Sequence, residues 1–171
     1  MPPVSDWETW PFDGVLRPRA LEPPVEAEAP RKGEDEADCW PCQGAEDAAI
    51  WSDERWLLTP MPDPNGLPCV VLLFPRRHVD FGGLTDEEAA DLGRMLVRVE
   101  RAVSSVPGVG RVHVCRWGDG SYHLHYWFLA RPLRFRQLIG SFAAVWDDVL
   151  PPTPQGVWDE NLRLVVQALG S

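Results

Sequence analysis

The stretch from Trp117 to Pro132, W-G-D-G-S-Y-H-L-H-Y-W-F-L-A-R-P, constrains this chain more than any other. It opens on a turn signal, Gly118-Asp119-Gly120, and continues in aromatic and branched residues, the composition of a β-strand bounded by tight-turn chemistry. Side chains alternate across a strand. His123, His125, Trp127 and Leu129 therefore share one face, and Tyr122, Leu124, Tyr126 and Phe128 the other. Two of the chain's four histidines stand side by side on one surface. Placing imidazoles in an otherwise apolar strand is costly unless they are ligated, hydrogen-bonded or engaged in chemistry. Arg111 to Arg116 alternates in the same way, and the Trp117–Ser121 turn predicts a hairpin joining the two strands.

Other segments supply the rest of a sheet. Cys69 to Phe74, C-V-V-L-L-F, is apolar on both faces and predicts a buried central strand. Ala49 to Thr59 predicts a short hairpin, with Ile50 and Trp51 before a polar turn and Trp56, Leu57 and Leu58 after it. Pro60 to Pro68, with four prolines and Asn65-Gly66, marks a loop. Thr85-Asp86-Glu87-Glu88 is a capping box at the head of a helix. That helix should run to about Val103, with Leu92, Met95, Leu96, Val99, Ala102 and Val103 on its apolar face. Two further helices are expected, one over Phe135 to Val149 and one opening at Thr153-Pro154 and closing near Gly170. Strands, helix, strands and helices in this order predict an α+β domain on an antiparallel sheet.

At 171 residues the chain suits one domain with tails. Residues 1–38 are expected to form an extended, poorly ordered arm, rich in proline and ending in acids. Within it Trp7, Trp10 and Phe12 would cover a nearby apolar patch. The formal charge of −10 makes nucleic-acid polymers and anionic lipid poor partners. No apolar run approaches the ~20 residues of a membrane helix, and no basic segment followed by an apolar one opens the chain, so a cytoplasmic setting is expected. In such a compartment the four cysteines are free thiols or metal ligands.

Cys39 and Cys42 have the C-x-x-C spacing that lets one loop offer two thiolates to one metal. If His78 and His123 converge on them, the set is Cys2His2, a closed structural zinc site. The same spacing also serves dithiol oxidoreductases, but these need a strand directly before the motif and a helix directly after it. Here a proline-rich acidic arm precedes it and Gly44 follows, which favours zinc. Cys69 and Cys115 fit small core hydrophobes. Between Arg111 and Arg136, arginines 111, 116, 131, 134 and 136 face a single acid, Asp119, a local +4. With Arg76 and Arg77 they would surround the histidines with a positive field suited to a small anion, phosphate above all. His125 is then a candidate nucleophile at phosphorus, one ring nitrogen held by a hydrogen bond and the other facing the substrate.

From Cys39 to Pro132 the chain resembles the histidine-triad (HIT) family of nucleotide hydrolases and transferases. The resemblance lies in C-x-x-C, an apolar strand ending P-R-R-H, a helix beginning L-T-D-E-E, and H-L-H-Y-W-F-L-A-R-P. It implies a HIT-like fold, an antiparallel sheet of about five strands with a main helix. In those terms residues 1–38 are the arm, 39–132 the HIT-like domain, and 133–171 a C-terminal helical extension packed on it. It further implies Zn2+ held structurally by Cys39, Cys42, His78 and His123, a homodimer through sheet and helix, and a nucleotide as the small anionic substrate. His125 would be the nucleophile and Ser121 a contact to phosphate or leaving group. Around them Trp127 takes the place of the third histidine, Arg116 that of an asparagine before the glycine turn, and Asp63 stands one place from the acid that holds ribose hydroxyls. Arg131 joins these as a substrate-binding candidate. A catalytically inactive binder on the same fold is the alternative, and a dithiol oxidoreductase the third.

Overall fold

β3 (Val70–Pro75) is the centre of the molecule, and all six of its residues are buried. The structure, a computed structural model, describes residues 7–14 and 17–170. On one side of β3 lie β2 (Trp56–Pro60) and then β1 (Trp51–Ser52). On the other lie β5 (Tyr126–Pro132) and the edge strand β4 (Val109–Cys115). Every pairing is antiparallel, giving the order β1-β2-β3-β5-β4. The expected first hairpin is present, with Trp51 opposite Leu58. Leu72 stands opposite both Thr59 and Trp127, which ties β2 and β5 to the same point of the central strand.

The second hairpin departs from its expected form. β4 and β5 do pair, with Cys115 opposite Trp127, but residues 116–125 connect them as a long loop rather than a tight turn, and both histidines precede β5. Tertiary partners override the local turn signal. The Leu124 amide donates to the Val79 carbonyl and the Tyr122 amide to that of Lys32. The chain before β5 is thus drawn toward the segment after β3 and toward the N-terminal arm, away from β4.

Helices follow the periodicity with two corrections. Two short turns, α1 (Trp40–Gln43) and α2 (Ala45–Ala48), come first. The main helix α3 (Asp86–Ser104) carries the full capping box, Thr85 and Glu88 each receiving the other's amide, and buries Leu92, Met95, Val99, Ala102 and Val103. α4 spans only Phe142–Val149. Within the expected span Gly140 adopts a left-handed φ of 63°, and such a residue cannot continue a right-handed helix. α5 (Gln155–Leu169) starts at Pro154, but the Thr153 hydroxyl donates to the Leu67 carbonyl at 2.8 Å instead of capping it. α5 packs along α3, and Trp158, Leu162, Val165 and Leu169 enter the main core.

The arm is anchored at two places rather than loose. Trp7 and Trp10 pack their rings on Phe142, and the Trp146 indole donates to the Thr9 carbonyl at 2.7 Å. Further along, Lys32 forms a parallel bridge with Ser121. Among the described residues no helix is long and apolar enough to cross a membrane.

Two substitutions separate the cap from the core. Thr85→Ala removes one cap and is expected to cost about 1 kcal/mol. Phe128→Ala, at a fully buried site, is expected to cost about 3 to 5 kcal/mol. Urea unfolding followed by tryptophan fluorescence checks the ranking, and equal costs would contradict the placement of Phe128 in the core.

Candidate functional site

α1 is a single turn, and that turn brings two sulfurs together. Cys39 is its N-cap, and the Cys42 amide donates back to the Cys39 carbonyl at 3.1 Å. His78 follows the end of β3, and His123 comes from the loop before β5. Cys39 Sγ lies 3.2 Å and Cys42 Sγ 3.4 Å from His123 Nδ1, and Cys42 Sγ lies 3.3 Å from His78 Nδ1. All four donor atoms fall within 4.8 Å of one another.

The imidazoles are oriented by what lies behind them. His123 Nε2–H donates to the Pro75 carbonyl at 2.8 Å. A carbonyl can only accept, so the proton sits on Nε2 and the Nδ1 lone pair faces the sulfurs. His78 Nε2 makes a longer contact, 3.4 Å, to the Glu34 carbonyl, and its ring stacks on Tyr122. Burial first, then the neighbouring His78 and His125, hold His123 below the usual histidine value against the opposing Pro75 carbonyl. Burial, followed by the hydrogen bond and charge of Cys39, pushes the Cys42 thiol up to about 12.

Two sulfurs and two imidazole lone pairs facing one point make a donor set for a tetrahedral metal ion. With bonds of about 2.0 Å to nitrogen and 2.3 Å to sulfur, tetrahedral edges of about 3.3 to 3.8 Å are required. The close contacts of 3.2 to 3.4 Å match that requirement within the motion that binding allows. A backbone carbonyl behind each ring supplies the outer contact typical of ligating histidines. The dithiol context is absent: a 3-10 turn, Glu36–Asp38, precedes the motif where a strand would be needed, and the following helix is four residues long.

Beside the cluster, and bordered by Cys39 itself, lies a cavity of about 600 Å3 that includes His125, Ser121 and Trp127. His125 Nδ1 contacts the His123 carbonyl at 2.9 Å. By the same argument this nitrogen carries the proton, and Nε2 keeps its lone pair. Phe74 lies against the His125 ring, with centroids 6.0 Å apart. Trp127 Nε1 is buried and has no hydrogen-bond partner among the described residues. Trp40, Phe74 and Leu72 provide apolar wall, and Lys32, Arg31 and Asp38 of the arm provide charge. A second hollow, of about 560 Å3 between Pro68, Leu138, Trp146 and Val157, has no titratable group in its lining. Of these two, only the first is bordered by titratable side chains.

The remaining candidates lie elsewhere. Arg116 donates to Asp80 at 2.6 Å and covers the Phe81 ring. Arg131 sits near the far end of β5, donating to the Phe135 carbonyl. Asp63 is exposed in the loop between β2 and β3. None of the three lines the His125 cavity. The expected arginine field is not assembled either. Arg111 stands opposite Arg131, toward the end of the hairpin away from Cys115 and Trp127. Arg76 pairs with Glu46, and Arg77 with Glu88. The antiparallel register disperses the cations, and acids neutralise several of them. Sequence reasoning missed Arg31, Lys32, Asp38 and Trp40, because nothing local in an acidic, proline-rich arm signals that it returns to line a cavity.

No family model matches the sequence, and no curated protein does. Solved structures do match the fold. A hypothetical histidine triad nucleotide-binding protein from Sulfolobus tokodaii strain 7 shares 12% identity over 77% of this chain and 92% of its own, with a TM-score of 0.57. A zinc-bound histidine triad family protein from Mycobacterium smegmatis shares 22% over 72% of this chain and 84% of its own, at 0.52. A uridylyltransferase shares 22% over 81% of this chain, at 0.54, and this chain spans only 47% of it. The chain has the histidine-triad fold: a five-stranded antiparallel sheet with the Cys/His cluster beside it.

Asp80 holds the arm against this site through Arg31 at 2.9 Å and Arg116 at 2.6 Å. Burial would raise its carboxyl, but the Phe81 amide and the two guanidiniums outweigh burial and hold it below the usual carboxylate range. A depressed folded value means stabilisation that is complete above the unfolded value of about 4 and lost as pH falls through the folded one. Asp80→Asn is therefore expected to lower stability by on the order of 1 kcal/mol at pH 6. The gap from wild type should close as urea unfolding is repeated below about pH 4. A gap unchanged down to pH 3 would show that charge is not what the carboxylate contributes.

Proposed function

We propose that the protein binds a nucleotide or a related small phosphate compound, and hydrolyses or transfers it through His125, in a domain stapled by a structural zinc. The observation that carries this is the hydrogen bond between His125 Nδ1 and the His123 carbonyl. It selects the tautomer whose Nε2 lone pair is available, in a cavity large enough for a small phosphate ester. Cys39, Cys42, His78 and His123 would hold the zinc. Bound there, with every protein ligand used, the ion supplies rigidity and leaves no open position for substrate.

The chemistry follows from the side chains. His125 Nε2 attacks phosphorus, a P–N bond forms, and the leaving group departs with the electron pair of its broken P–O bond. Positive charge developing on the ring is stabilised by the Nδ1–H bond to the His123 carbonyl. Water or an acceptor hydroxyl then attacks the same phosphorus, the P–N pair returns to Nε2, and the proton of the attacking O–H passes to that nitrogen or to solvent. Ser121 borders the cavity and would contact phosphate or leaving group. Trp127 Nε1 offers one donor and no proton to give up. It favours leaving groups that depart as stable anions, so phosphoanhydrides suit the site better than phosphoramidates.

The same residue supports the second reading, a catalytically inactive binder, because Trp127 is no general acid. Free Cys69 and Cys115 fit the cytoplasmic setting. A homodimer finds support in the unpaired edge of β4, which leaves Val114 exposed.

Two measurements test the proposal. Protein purified without chelator should carry about one zinc per chain, and Cys39→Ser should lose most of it, because removing a ligand opens a closed site. Incubated with dinucleoside polyphosphates, sugar nucleotides and nucleoside phosphoramidates, the wild type should acquire a nucleotidyl adduct on His125 by mass spectrometry. His125→Ala should lose adduct and turnover together. Identical behaviour of the two proteins across the panel would establish the inactive binder.

A further inference from the structure

The cavity around His125 is bordered by a segment from outside the five-stranded sheet, and that segment carries the chain's only lysine, Lys32. We infer that Lys32 is the anion-binding residue of the site, delivered by the N-terminal arm to receive the phosphate oxygens of the substrate. This assignment rests on the reading of His125 as the nucleophile.

The backbone at Lys32 is fixed more firmly than an arm would suggest. Its amide donates to the Gly120 carbonyl at 3.1 Å, and its carbonyl accepts from the Tyr122 amide at 3.0 Å. Arg31 holds the residue before it through Asp80 at 2.9 Å and the Gly118 carbonyl at 2.8 Å, with its guanidinium over the Tyr122 ring. Gly33 holds the residue after it in a left-handed turn, φ 69°, so close to Cys39 that an added Cβ would lie 3.1 Å from the Cys39 Cα. Lys32 is thus stitched across the loop that carries Ser121 and stands beside the loop that carries Cys39.

Charge accounting singles it out among the cations of the lining. Arg31 is committed to Asp80 and Glu34. The Lys32 amine has no ion-pair partner among the described residues, and the other charged group in the lining, Asp38, is an acid. The candidate arginines Arg116 and Arg131 lie outside the cavity. In a chain of formal charge −10, a phosphate brought to His125 needs a nearby cation, and an ammonium serves as a point charge for its oxygens. The unpartnered Trp127 indole is a neutral donor in the same lining, available to a phosphoryl oxygen.

The test titrates inorganic pyrophosphate into full-length protein, reading the Trp127 indole N–H and His125 ring signals by NMR at low and moderate salt. Pyrophosphate should shift both signals in wild type, weakening as salt rises. Lys32→Ala should weaken binding at least tenfold with zinc content and melting temperature unchanged, and Lys32→Arg should recover most of the affinity. Equal affinity in wild type and Lys32→Ala would overturn the assignment while leaving His125 chemistry standing. Absence of any shift in wild type would overturn it as well. Lys32-dependent binding with no adduct on His125 in the nucleotide panel would support the anion site and refute the nucleophile.

Discussion

Everything at this site depends on how one residue, His123, is held. Its Nε2–H reaches the carbonyl of Pro75, the last residue of the buried central strand, and this bond fixes the direction of Nδ1 toward Cys39 and Cys42. Its own carbonyl fixes the ring of His125. One buried residue thus sets the tautomers of two imidazoles and joins the cysteine loop to the sheet. A metal in the cluster would reach the His125 ring only through this geometry, since His123 is among the four converging donors and His125 is not.

The sequence showed the sheet because sheet formation here is dominated by local patterning. Cys69 to Phe74 is apolar on both faces, a pattern that few environments other than a covered central strand accommodate, and β3 is buried throughout. The capping box at Thr85 was legible for a similar reason, as its partners lie three residues apart. The four Cys and His donors were legible as a conditional set, the C-x-x-C spacing offering two and His78 and His123 two more if the fold brought them together, as it does. Failure began where long-range contacts chose the conformation. The Gly118-Asp119-Gly120 signal implied a tight hairpin, yet Lys32 and Val79 capture the amides of Tyr122 and Leu124, and the loop opens. The helix expected from Phe135 begins only at Phe142, after Gly140, whose left-handed φ interrupts the expected span.

The arginines show the limit of counting charges along a chain. Five of them between residues 111 and 136 read as a field around the histidines. An antiparallel hairpin folds such a list back on itself, so Arg111 and Arg131 meet at one end while Cys115 and Trp127 meet at the other. Arg116 opens the loop that carries the histidines, and it is spent on Asp80, which also holds Arg31 of the arm. Its contribution to the site is mechanical rather than electrostatic.

That clamp makes the arm part of the functional unit. Asp80 follows β3 by a few residues, Arg116 follows β4, and Arg31 belongs to the arm, so a single carboxylate ties three remote pieces of chain together. Gly33 then brings the arm against Cys39 at a separation that no side chain could occupy without displacing the cysteine backbone. Cys39 and Lys32 both border the cavity that holds His125. The loop leading into β5 carries the nucleophile candidate, and part of the wall beside it is made by a segment whose composition alone read as disorder. Near the site that segment is held by Asp80, by the Gly118 carbonyl and by the backbone of the loop that carries Ser121.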